Sequence, residues 1–192
     1  MKLIVGLGNP GPSYLLNRHN VGFILMDMLH NDYGFQPFKM KYNTHVAKGT
    51  IGDHDCLIIK PMTFMNKSGD SVSNIANFYK IPPEDVFVAH DELDAPFRKI
   101  KVKQGGGAGG HNGLRSIDQR YGKEYHRIRI GIDHPGHKDA VTGHVLGNFS
   151  KSEIDDLPYI LGAVSDEMPL LLDGDTQKFL TFVSRQIQTA FN

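Results

Sequence analysis

The chain has 192 residues, 40% hydrophobic and 22% charged, enough for one domain with a sizeable core and too few to favour two. No apolar run approaches the roughly 18 residues of a membrane span, and the four-residue run after Met1 is far too short for a secretory leader, so a cytoplasmic protein is expected. The formal net charge of zero is unevenly divided: Arg98 to Arg129 holds nine cations and two acids, +7, and the remainder balances it at −7. The asymmetry points to an anionic partner for the middle of the chain; its plainer reading is a set of solvated faces. Cys56 is the only cysteine, so no internal disulfide can form, as suits a reducing compartment.

Lys2–Val5 reads as a short strand that runs into Gly6-Leu-Gly-Asn9-Pro10-Gly11. The glycines match a dinucleotide fingerprint, but Pro10 and Pro12 remove N–H donors that a pyrophosphate needs, and Val21–Tyr33 has helical rather than strand spacing. The loop instead reads as a holder for Asn9 at a strand end, with Arg18, His19 and Asn20 just ahead of a helix. Asn43–Ile51 and Asp55–Lys60 form a predicted hairpin around Gly52-Asp53-His54. Met62–Ser68 is a predicted loop in which Asn66 or Ser68 can cap the helix carrying Val72, Ile75, Ala76 and Tyr79.

Asp85–Leu114 is the most informative stretch. An apolar run delivers His90 and Asp91 to a strand end, and the basic run Lys99–Lys103 follows. Five glycines in six positions, 105–110, then lead to His111 and Asn112. Beyond, Leu114, Ile117 and Tyr121 mark a helix stopped by Gly122. Ile128, Ile130 and Ile132 mark a half-buried strand. Ser150-x-x-Glu153 has capping-box spacing, opening a helix that Pro158 and Pro169 interrupt or bend. Phe179, Phe182, Val183 and Ile187 form the apolar face of a last helix. Strands interleave with helices, which predicts a single α/β domain over residues 1–192: a twisted, mostly parallel mixed sheet with helices on both faces.

Three polar groups fall where the chain leaves regular structure: Asn9 with His19, Asn66 after Met65, and Asp91 with Asn112. Ends of parallel strands gather on one side of such a sheet. If these groups meet, they supply one imidazole, one carboxylate and three neutral amides. The His19 imidazole can take a proton from water; Asp91 can hold the other ring nitrogen; the asparagines can grip a peptide or steady an oxyanion. No nucleophile elbow is present, so direct attack of water on an acyl carbon is the expected step. Each residue also has a plainer use. His19 can be structural, Asn9 a turn residue, Asn66 a cap, and Asp91 a loop cap with Glu92 and Asp94 beside it. His134 and His137 match no metal-ligand spacing, and no metal or cofactor is expected. The glycine run lacks the Lys-Ser/Thr of a P-loop and reads as a backbone cradle or a lid. Lys101 and Lys103 share a strand face and, with Arg129 on a neighbouring strand, can clamp a terminal phosphate.

Together GLGNPG (6–11), RHNVG (18–22), TFMNKSG (63–69), HDELD (90–94), GGGAGGHNGL (105–114) and HRIRIGI (126–132) resemble, in order and over most of the chain, the bacterial-type peptidyl-tRNA hydrolases. The resemblance implies hydrolysis of the ester joining a peptide to the 3′ end of tRNA by a monomeric, metal-independent cytosolic enzyme. It implies His19 as the base, Asp91 as its support, and Asn9, Asn66 and Asn112 on the peptide and scissile region. Met65 is implied in the cleft wall, Tyr14 at the site, and Lys101, Lys103 and Arg129 on tRNA. Ala108 departs from the family, which commonly has histidine there. The segment Tyr121–Tyr125 also looks short for the family, which puts its RNA contacts in question. Two rival readings remain: a non-catalytic RNA-binding protein using the basic block, and a nucleotide-dependent oxidoreductase using the first glycines.

Overall fold

The computed structural model describes residues 1–192. The first half comprises β1 (Lys2–Gly6), α1 (Val21–Asp32), β2 (Lys39–Lys41), β3 (Thr44–Ile51), β4 (His54–Pro61) and α2 (Ser68–Phe78). It is followed by β5 (Val86–Glu92), β6 (Ile100–Gln104), α3 (Asn112–Tyr121), β7 (His126–Gly131), α4 (Val141–Val145), α5 (Lys151–Leu172) and α6 (Thr176–Ala190). The seven strands form one sheet in the order β2-β3-β4-β1-β5-β7-β6. Its centre, β4-β1-β5-β7, is parallel, and the outer pairs β2/β3, β3/β4 and β6/β7 are antiparallel. The expected mixed α/β sheet is therefore present, with Lys39–Lys41 as an edge strand that the sequence reading passes over.

The central strands are apolar because both faces are covered. On one face Ile4, Ile58, Phe87, Ala89 and Ile128 pack with α1, α5 and α6. On the other Leu3, Val5, Leu57, Val86 and Val88 pack with α2 and α3. Burying each Val, Leu, Ile or Phe among them stabilises by about 1.5–3 kcal/mol. The same covering changes the reading of β7, which is buried on both faces at Arg127 and Ile128 instead of half-exposed.

Capping explains several helix ends. Ser150 accepts from the Glu153 amide and Glu153 returns a bond to the Ser150 amide, a complete capping box. Gly122 ends α3 at a φ of 100°. Neither Asn66 nor Ser68 caps α2; Lys67 holds that position without a side-chain bond, and a 3-10 turn at Met65–Lys67 feeds the helix directly. Pro158 and Pro169 do not interrupt α5, which runs unbroken through both. Burial of Leu157, Ile160, Leu161, Val164, Met168 and Leu171 outweighs the two missing N–H donors. Phe182 leaves the buried face of α6, which is Phe179, Val183 and Ile187, and lies beside Lys178 and Arg185.

One close approach sets the site. A Cβ on Gly22 would lie 2.4 Å from the Leu7 nitrogen and 2.5 Å from the Ala89 oxygen. The start of α1 therefore rests directly on the ends of β1 and β5, which lays the preceding turn, Arg18–Asn20, against Asp91. Gly6 and Gly8 likewise admit the Gly22 backbone and the Phe23 ring. The first glycines serve this packing, not a pyrophosphate.

Candidate active site

The C-terminal ends of β1, β4, β5 and β7 open into a cleft of about 410 Å³. Asn9, His19, Met65, Asn66, Asp91 and Asn112 all line it, so the three polar groups do meet. Asp91 is 3% exposed and His19 8%. His19 Nδ1 lies 2.9 and 2.8 Å from the two Asp91 carboxylate oxygens. With Nδ1–H donating to the carboxylate, Nε2 carries the lone pair and has no protein partner, the tautomer a general base requires.

Asn9 is fixed from two sides. Its Oδ1 accepts from the Met65 amide at 2.8 Å, which orients the amide and leaves Nδ2 as a free donor in the cleft. Asn20 grips its main chain, accepting from Asn9 N–H at 3.0 Å and donating to Asn9 C=O at 2.9 Å. Asn66 and Asn112 are exposed along the cleft. Tyr14 stands behind the rim, edge-on to Phe64 with ring centroids 6.4 Å apart, and it is Phe64 that faces the cleft.

The sequence reading does not single out His111, whose Nε2 lies 2.8 Å from Asp91 Oδ1. Its Nδ1 accepts from the Gly113 and Leu114 amides at 3.1 and 3.3 Å, capping α3. Its place just ahead of an apolar helical repeat is the signal that cap analysis offers. Asp91 thus faces two imidazoles. Burial raises its pKa, but the charges and hydrogen bonds of His111 and His19 outweigh burial and hold it well below the ordinary carboxylate range. His90, fully buried on the same strand, donates Nδ1–H to the Asp91 carbonyl at 2.8 Å. Desolvation and the neighbouring His111 push its pKa down to about 4.

His19, Asp91 and His111 bring ligand-type atoms within 4.8 Å of one another. The donor chemistry does not fit a metal. An ion on His111 Nε2 would move the ring proton to Nδ1, against two amide N–H groups. An ion on His19 Nδ1 would move its proton to Nε2 and remove the base.

The basic strand is more selective than its charge count. Four of the nine cations are paired: Arg98 with Asp156, Arg120 with Asp70, Arg127 with Asp118 and Arg129 with Glu92. Arg127 is 2% exposed and donates to the Gly106 and Gly107 carbonyls, so it latches the glycine loop. Lys101 stands directly opposite Arg129 in the ladder and Lys103 opposite Arg127, which puts all four on one sheet face. Lys103 and Arg129 line both the cleft and a second cavity beside β6, whereas Lys101 lines only the second. Cys56 is buried and its thiol is pushed up to about 11 by desolvation, which removes it as a nucleophile. The far wall of the cleft is α4 with Leu146, a short helix with no clear sequence periodicity.

The comparisons with known proteins agree with this arrangement. The family model described as peptidyl-tRNA hydrolase matches residues 3–190. The chain is 54% identical to the peptidyl-tRNA hydrolase of Novosphingobium aromaticivorans, over 99% of this chain and all of that one. It is 50% identical to that of Erythrobacter litoralis, over 98% and 100%. A crystal structure of peptidyl-tRNA hydrolase from Acinetobacter baumannii superposes with a TM-score of 0.90 at 41% identity, covering 96% of this chain and 94% of that one.

Proposed function

The chain belongs to the peptidyl-tRNA hydrolase family, and we propose that it hydrolyses the ester between a peptide and the 3′ end of tRNA with His19 as the base. The observation that carries this reading is the His19–Asp91 pair on the wall of an open cleft, with Nε2 directed to no protein group. His19 takes a proton from water as the water oxygen attacks the ester carbonyl carbon. The Asp91 carboxylate, buried and unable to leave, stabilises the imidazolium. The Asn9 Nδ2 donor meets the developing oxyanion. Collapse of the tetrahedral intermediate breaks the bond to the ribose oxygen, which recovers the proton from His19. Peptide acid and free tRNA leave, and no cofactor is needed for the balance.

Asn66, Asn112 and Met65 take the peptide and scissile region, with Tyr14 supporting the rim through Phe64. Lys101 and Lys103 take the tRNA backbone, and Arg129, whose charge Glu92 offsets, supports them from the neighbouring strand. The reading treats residues 1–192 as a single domain working as a cytoplasmic monomer; no helix is long and apolar enough to cross a membrane. The test is release of peptide from a defined peptidyl-tRNA, run beside the same tRNA carrying an unblocked amino acid. Turnover of the blocked substrate is expected; failure to release peptide overturns the reading.

A further inference from the structure

We propose that His111 is a positioning residue for the hydrolytic step, dividing the Asp91 carboxylate with His19 so that the base is oriented without being held in its protonated form. The proposal rests on the reading of His19 as base.

Asp91 Oδ1 accepts from both rings, His19 Nδ1 at 2.9 Å and His111 Nε2 at 2.8 Å, while Oδ2 accepts from His19 alone. The two rings sit 4.7 Å apart between centroids. The His111 proton is confined to Nε2, because Nδ1 is occupied as the acceptor that caps α3. His111 is therefore a fixed donor: its cap determines its tautomer, and its tautomer points a proton at Asp91. A buried carboxylate with a single imidazole partner would place its whole charge on that ring and favour the imidazolium, which cannot accept a proton from water. A second fixed donor on Oδ1 withdraws part of that charge.

The other charged and titratable groups near His19 are committed elsewhere. On its own turn, Arg18 is bound to Glu153 of α5 and to the His144 carbonyl. On β5, His90 is tied to the Asp91 main chain, and Glu92 is bound to Arg129 of β7. On α4, His144 Nε2 is bound to the Ile132 carbonyl. Asp94, Lys103 and Arg127 line the same cleft without bonding to His19. His111 is the group that reaches the carboxylate alongside His19.

Two substitutions separate this role from capping. Asn in His111→Asn is a good helix cap but too short to cap and reach Asp91 together. Gln in His111→Gln can extend an amide donor to Asp91 but caps poorly. For His111→Asn, the acid limb of the kcat/KM profile moves to higher pH by about one unit, the scale of one charge-assisted hydrogen bond, with Tm close to wild type. For His111→Gln, the limb stays close to wild type and Tm falls. An unmoved limb in His111→Asn overturns the proposal, and so does an equal shift in both variants, which marks a structural role. Titration of the His19 ring by NMR without substrate reads the same displacement independently of turnover. If His19→Ala keeps full activity, the base assignment fails, while the NMR shift still decides whether His111 divides Asp91.

Discussion

Asn20 holds both main-chain polar groups of Asn9, accepting from its N–H at 3.0 Å and donating to its C=O at 2.9 Å. Only a side-chain amide supplies both a donor and an acceptor in that reach. Asn20→Asp keeps the acceptor and loses the donor, leaving the Asn9 carbonyl facing a carboxylate. The expected result is a fall in kcat of about 10–100-fold, the scale of a small misplacement of a reacting group, with KM little changed. Steady-state kinetics of peptide release check it. An unchanged kcat would mean that Asn9 needs no such support.

His19 is expected to carry the proton transfer itself. His19→Ala should lower kcat by about 10²–10⁴-fold, the range of a general base, and leave tRNA affinity nearly as it was. The ring touches Asp91 and His111 but none of the cations on β6 and β7, so a filter-binding assay should see no loss. Equal losses in binding and turnover would assign His19 to the fold.

The fold was legible wherever a local pattern has one structural answer. Ser150 with Glu153 could only open a helix, and the apolar run before His90 could only be a covered strand. Three failures have a common cause, which is that contacts distant in sequence decide them. Pro158 and Pro169 are breakers locally, yet α5 is held by its buried face. Lys39–Lys41 is too short and too exposed to signal an edge strand. Arg127 counts as surface charge until Asp118, Tyr125 and the glycine-loop carbonyls enclose it. The site divides the same way. The meeting of His19, Asp91 and the three asparagines in one cleft was readable from where the chain leaves regular structure. His111 and Asn20 were not, because their roles lie in which atom of another side chain or main chain they hold.

His90 makes stability depend on pH. Burial, then the neighbouring His111, lowers its pKa to about 4, so it stays neutral in the native state where the unfolded chain binds a proton. The unfolded state gains protons as pH falls below about 6.5, and stability therefore declines from there to about pH 4, by up to roughly 3 kcal/mol. His126 and His45, also lowered by desolvation first, add to the same slope. Asp91 is depressed too, but from the ordinary carboxylate range, so it keeps its contribution across this window and loses it only in stronger acid. Urea unfolding between pH 7 and 4 measures the slope, which should be shallower in His90→Gln. An identical slope in that variant would show that His90 is not the source of the pH dependence.

The tRNA contact should rest on the lysines that have no carboxylate partner. Lys101 and Lys103 share a face with Arg127 and Arg129, but Asp118 and Glu92 neutralise the two arginines. Lys103 also lies against the glycine loop: a Cβ on Gly106 would fall 3.0 Å from its Nζ. A phosphate bound there would sit at the junction of the cleft and the second cavity, since Lys103 lines both. Lys103→Ala should weaken tRNA binding and flatten its log–log salt dependence by about 0.7–0.9, the contribution of one phosphate contact. Glu92→Gln, which releases Arg129 to the face, should steepen the same slope. Measuring affinity across a salt series with all three proteins decides the matter, and a Lys103→Ala slope equal to wild type removes Lys103 from the contact.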